Sequence, residues 1–113
     1  KEKESLWTDA KADTVQAFLP VYDNLERALK QDTADEAYKK GVEMTMNQLK
    51  EVFAKLGVTE IEAQGKPFDP NLHNAVMHIE DENLGENTVA QVFQAGFMLG
   101  EKVIRFAMVQ VAN

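Results

Sequence analysis

Cysteine is absent from the 113 residues. Its absence excludes disulfides, thiolate metal sites and a cysteine nucleophile, and with them the usual clue to redox compartment. Histidine occurs only at positions 73 and 78, so no third imidazole can complete a histidine-based ligand set. Positive charge is scarce as well, with 12 Lys and Arg against 19 Asp and Glu and a formal net charge of −7. Such a balance repels a phosphate backbone and provides no counterion release, which argues against nucleic acid as a partner. No apolar run approaches the roughly 18 residues of a membrane-spanning helix, and the charged start Lys1 to Ser5 has no apolar signal core behind it. The expectation is a cytoplasmic chain that does not enter a membrane. Also missing are GxSxG, GxGxxG and P-loop patterns and any paired catalytic carboxylates, so neither catalysis nor direct nucleotide binding is expected.

What is present is a 44% hydrophobic composition, enough to give one ordinary domain or two small modules a packed core. Glycine and proline are unevenly spread. Gly41 stands alone before Gly57, whereas Gly65, Gly85, Gly96 and Gly100 follow it together with Pro67 and Pro70 and several short β-branched runs. This shift divides the chain into a helical segment, 1–57, and a β segment, 58–113. The class is α+β.

In the helical segment Val15, Phe18, Tyr22, Leu25 and Leu29 recur at spacings of three and four, along one stripe of a helix. Pro20 lies within that stripe and predicts a kink or break, since it lacks an N–H and crowds the preceding turn. Thr33 to Glu36 has the form of a capping box that opens a second helix. There Tyr38, Val42, Met46, Leu49, Phe53 and Leu56 form a near-heptad seam, with Gly57 placed to end the helix. A two-helix hairpin leaves apolar surface in water. A second copy could cover it by completing a two-fold four-helix bundle; packing on the β segment of the same chain is the alternative.

In the β segment, strands are predicted at 58–62, 76–80, 89–95 and 103–112, with a single helical turn near 70–74 introduced by Asp69 and Pro70. Without βαβ alternation, a small antiparallel sheet or sandwich is the natural packing. The stretch FDPNLHNAVMHIEDE, 68–82, has the residue types of a metal or acid/base site. Its histidines, however, are five apart, about 140° around a helix and on opposite faces of a regular strand. A structural or surface role therefore outweighs both chemical ones.

Four blocks carry a resemblance: LPVYDNLERAL (19–29), KGVEMTMNQLKEVFAKLGV (40–58), KPFDPNLHNAV (66–76) and VFQAGFMLGEKVIRFAMVQVA (92–112). In order and spacing they are similar to the GrpE family, the nucleotide-exchange factors of the bacterial Hsp70-type chaperone DnaK. The resemblance implies N-terminal helices forming a dimeric four-helix bundle, followed by a small all-β C-terminal domain of short antiparallel strands that binds the chaperone's ATPase domain. It implies no cofactor, a role in protein folding and the heat-shock response, and a core from which most of the family's long helical stalk is missing. Phe93, Lys102 and Val111 match positions that face the chaperone, with Phe68 and Pro70 nearby, and Gly41 matches a helix glycine that the interaction requires. The dimer interface would use Phe18, Tyr22, Leu25, Leu29, Val42, Met46, Leu49 and Phe53. Departures from the family pattern are Ala95 in place of a basic residue, Phe97 for tyrosine, Lys102 for arginine and Phe106 for proline or alanine. Trp7 lies outside the matched blocks and receives no role. An acidic dimeric adaptor without exchange activity is the alternative reading.

Overall fold

Two long helices precede six strands in the computed structural model, which describes residues 2–113. They are α1 (Glu2–Leu29), α2 (Glu36–Lys55), β1 (Val58–Glu60), β2 (His73–Ile79), β3 (Thr88–Gln94), β4 (Phe97–Leu99), β5 (Lys102–Arg105) and β6 (Ala107–Ala112). The α+β class read from the sequence holds. The chain divides into two compact units, Lys1–Val58 and Thr59–Asn113.

In the first unit α1 continues through Pro20 as one helix, so of the predicted kink or break the break does not occur. Pro20 is exposed, so its ring displaces no packed neighbour and one lost backbone bond is spread over a long helix. The buried stripe is Ala12, Val15, Leu19 and Tyr22, each at most 3% exposed, at spacings of three, four and three. Leu19 takes the place given to Phe18, which is 53% exposed, while Leu25 and Leu29 are half-buried. Tyr22 reaches across to α2 and stacks on Phe53, with ring centroids 6.4 Å apart.

The start of α2 lies two residues beyond the predicted cap. Asp35 is the N-cap, and its carboxylate accepts the Tyr38 N–H at 3.0 Å. Thr33 stays outside the helix, its hydroxyl accepting the Asp35 N–H at 3.1 Å. A carboxylate suits this position better than a hydroxyl, because it also meets the positive end of the helix dipole. Along α2, Met46 and Phe53 are buried, Val42 and Leu49 half-buried, and Tyr38 exposed. Gly57 ends the helix as predicted: with φ at +83°, it takes the left-handed conformation that glycine adopts without strain.

The second unit is built on two three-stranded sheets, ordered β1-β4-β5 and β2-β6-β3. The predicted antiparallel arrangement needs correcting, since β2 runs parallel to β6 while β3 runs antiparallel to it. The chain between β2 and β6 is long enough to make the crossover that parallel pairing demands. The single strand predicted at 103–112 is cut at Phe106 into β5 and β6, which belong to different sheets. β4 occupies what was read as a connection, and Gly100, with φ at +60°, makes the tight turn from β4 to β5. The turn at 69–72 closes with N–H groups of Leu72 and His73 on the Asp69 carbonyl at 3.0 and 2.8 Å. It is shorter than predicted because β2 already begins at His73.

The core of this unit joins Ile61, Ala63, Val89, Ala107, Val109 and Val111, with Phe68, Leu72, Val92, Met98 and Val103 packed around them. Gly96 sits where the backbone crosses most closely: a Cβ built there would lie 2.3 Å from the Ala107 nitrogen. No side chain fits that crossing.

Candidate functional site

The Asp69-to-His73 turn is held by its own histidine. His73 is 4% exposed. Its Nδ1 accepts the Asp69 N–H at 3.0 Å, which leaves the proton on Nε2, 3.1 Å from the Glu62 carbonyl that accepts it. The Asp69 carboxylate in turn accepts the Asn71 N–H at 2.9 Å, and the Phe68 ring lies 5.9 Å from the imidazole, centroid to centroid. Both ring nitrogens are thus committed to backbone, and none of their lone pairs is left for a metal or a substrate. Among the described residues no group of three or more His, Cys, Asp or Glu side chains is placed to hold a metal ion.

The relation between the two histidines differs from the sequence expectation. A bulge at Val76 inserts one residue into β2, so His73 pairs with Ala107 and His78 with Val111. These partners are four apart on β6, and the two imidazoles therefore share a sheet face instead of lying on opposite ones. Four strand positions still separate them by about 13 Å. They do not converge.

The residues carried over from the family resemblance fall at several places. Phe68 is half-buried against the core, and its N–H donates to the Asn87 carbonyl at 2.8 Å. Pro70 is exposed on the turn. Val111 is only 5% exposed and belongs to the core cluster, so its side chain supports the fold. Together Phe68 and Val111 border one groove of about 420 Å³, closed by Ala75, His78 and Asn87. Phe93 is the extra residue of a β3 bulge between Val92 and Gln94 and is 41% exposed. Lys102 opens β5 directly after the Gly100 turn and is exposed. In the first unit Gly41 is exposed on α2, where an added Cβ would meet nothing within 4 Å. Among the described residues nothing requires glycine there.

Two structural residues went unnoticed in the sequence. Arg105 donates from Nε and Nη2 to the Ala95 carbonyl at 2.9 and 2.6 Å and lies 5.7 Å from the Phe97 ring centroid. Asn113, with φ at +58°, accepts the Asp81 N–H on its side-chain oxygen at 3.0 Å. Its Nδ2 donates to the carbonyls of Asp81, Leu84 and Gly85 at 2.9, 2.9 and 3.2 Å. The partners lie some thirty residues away for Asn113 and ten for Arg105, too far for a local pattern to mark them.

Protein GrpE of Clostridium beijerinckii is 58% identical over 113 residues, covering 100% of this chain and 54% of that protein. Protein GrpE of Clostridium acetobutylicum is 56% identical over 113 residues, covering 100% of this chain and 56% of that protein. Protein GrpE of Geobacillus stearothermophilus is 50% identical over 102 residues, covering 88% of this chain and 46% of that protein. The chain spans about half the length of the curated relatives it matches. The sequence model of GrpE matches residues 1–113, and the chain belongs to the GrpE family.

Proposed function

We propose that the chain is the core of an adenine nucleotide-exchange factor that acts in the cytoplasm on the ATPase domain of a DnaK-type chaperone. Family membership over all 113 residues carries this reading. In this account α1 and α2 pair with those of a second copy, and the β unit meets the chaperone through Phe93, Lys102 and Pro70. Residues 1–57 would then serve dimerisation and 58–113 chaperone binding. The exposed Phe18 on α1 and exposed Tyr38 and Met44 on α2 are apolar surface that a second copy would cover.

The mechanism needs no bond-breaking group. A factor that binds the open, nucleotide-free chaperone more tightly than the closed, ADP-bound one shifts the population toward open and speeds ADP escape. Each tenfold gain in release requires about 1.4 kcal/mol of differential binding. By reciprocity ADP must weaken the factor's hold by the same factor by which the factor lowers the chaperone's equilibrium affinity for ADP. Calorimetric titration of the ATPase domain with and without excess ADP tests this: the affinity should fall at least tenfold with ADP. Equal affinity in the two titrations would contradict the reading.

A further inference from the structure

One edge of the β2-β6-β3 sheet is open. β6 covers one side of β2, and among the described residues no strand pairs with the other. The opposite edge, on β3, is partly covered: Val89 exchanges backbone bonds with Gly65 and Lys66, and Phe68 bonds to Asn87. Exposed edges are ordinarily guarded by charged residues such as lysine, by proline, by a short strand or by a bulge. Of these the seven-residue β2, HNAVMHI, has only the bulge at Val76. That bulge sets Val76 and Met77 consecutively at the surface, 47% and 52% exposed.

Beside this edge lies the groove bordered by Phe68, Ala75, His78 and Val111. His78 also lines a second depression, of about 580 Å³, whose walls include Glu80, Asp81 and Glu82. Asn113 holds the backbone of that acidic loop in place. Between Lys66 and Lys102 the sequence has no lysine or arginine, so along their own stretch of chain these carboxylates have only the imidazoles of His73 and His78 as basic neighbours. An apolar edge that runs into unneutralised negative charge fits a partner with apolar residues next to basic ones. A second copy of β2 would bring the same uncharged strand and the same acidic flank, and so would neutralise nothing.

We propose that the outer edge of β2 takes up an extended polypeptide segment of mixed apolar and basic residues as an additional strand. One apolar side chain enters the Phe68–Val111 groove, and a lysine or arginine meets Glu80, Asp81 and Glu82. This interaction is separate from nucleotide exchange and does not depend on it.

The test is fluorescence anisotropy with a short labelled peptide of alternating valine and lysine, paired with amide hydrogen exchange on the full chain. Expected are saturable binding, weakened by added salt, and slowed exchange at the amides of residues 74–78. A peptide of the same composition broken by proline, a valine–glutamate peptide, and the variant Met77→Lys should each bind at least tenfold more weakly. Met77 is half-exposed, so an unchanged urea midpoint is expected for that variant and separates lost binding from lost folding. Three results would overturn the proposal: no saturable binding, equal binding of the proline-broken peptide, or protection that maps away from β2. Cross-strand nuclear Overhauser contacts between two copies of β2 would also overturn it, since the occupant would then be the chain itself.

Discussion

At the scale of single residues, the most informative position is His73. Its imidazole is buried and bonded at both nitrogens, so His73→Ala leaves the Asp69 N–H and the Glu62 carbonyl without partners in addition to opening a cavity. The expected loss is about 2–4 kcal/mol, read from the urea unfolding midpoint; a change below measurement error would show that the turn does not depend on this side chain. Gly96→Ala must push the Ala107 backbone aside, and thermal melting should show a loss of about 1–3 kcal/mol. Asn113→Ala should speed amide exchange at Asp81 while leaving α1 and α2 unchanged, because its bonds end within one loop. The sequence disclosed part of this. The five-residue spacing of the histidines argued against a converging pair on the ground of opposite faces, whereas it is their separation along one face that keeps them apart. The bulge that places both on one face was hidden, since nothing in HNAVMHI marks Val76 as the extra residue. Asn113 and Arg105 were invisible for a different reason: their partners are ordinary backbone groups, about thirty residues away for Asn113 and ten for Arg105.

At the scale of elements, the helices were more legible than the sheets. Apolar spacing of three and four located α1 and α2, but it could not decide between Phe18 and Leu19, adjacent positions about 100° apart on the helix. The cap was displaced because Thr33 and Asp35 both suit an N-terminus, and a pattern search favours the one with Glu three residues on. Strand periodicity marks which residues alternate and carries no information on direction, so the parallel pairing of β2 and β6 could not be read. Gly41 yields a prediction that separates two explanations for a mid-helix glycine. With open space around it, Gly41→Ala should stabilise α2 by up to about 1 kcal/mol in thermal melts. If a partner's backbone approaches there, the same variant binds the chaperone or a second copy more weakly, as titration or sedimentation would show. Unchanged melting together with unchanged assembly would leave glycine at this position without a physical reason.

At the scale of the whole molecule, the proposed function lies in surfaces. The described residues contain no metal cluster, and the buried histidine is spent on a turn. The proposed exchange rests on differential binding to the open and closed states of the partner, with no bond made or broken. Phe93 and Lys102 carry the most direct test of where the chaperone sits. Phe93 is partly exposed on a bulge, so Phe93→Ala should weaken binding without lowering the melting temperature, and Lys102→Glu should slow association with stronger effect at low salt. A collapse in melting temperature for Phe93→Ala would make it a core residue and move the interface elsewhere. Exchange itself is read out by release of a fluorescent ADP from the DnaK-type chaperone in a stopped-flow mixer, with and without saturating chain. The ADP off-rate should rise at least tenfold and saturate with chain concentration; an unchanged off-rate at saturation would exclude exchange and leave an acidic adaptor in its place.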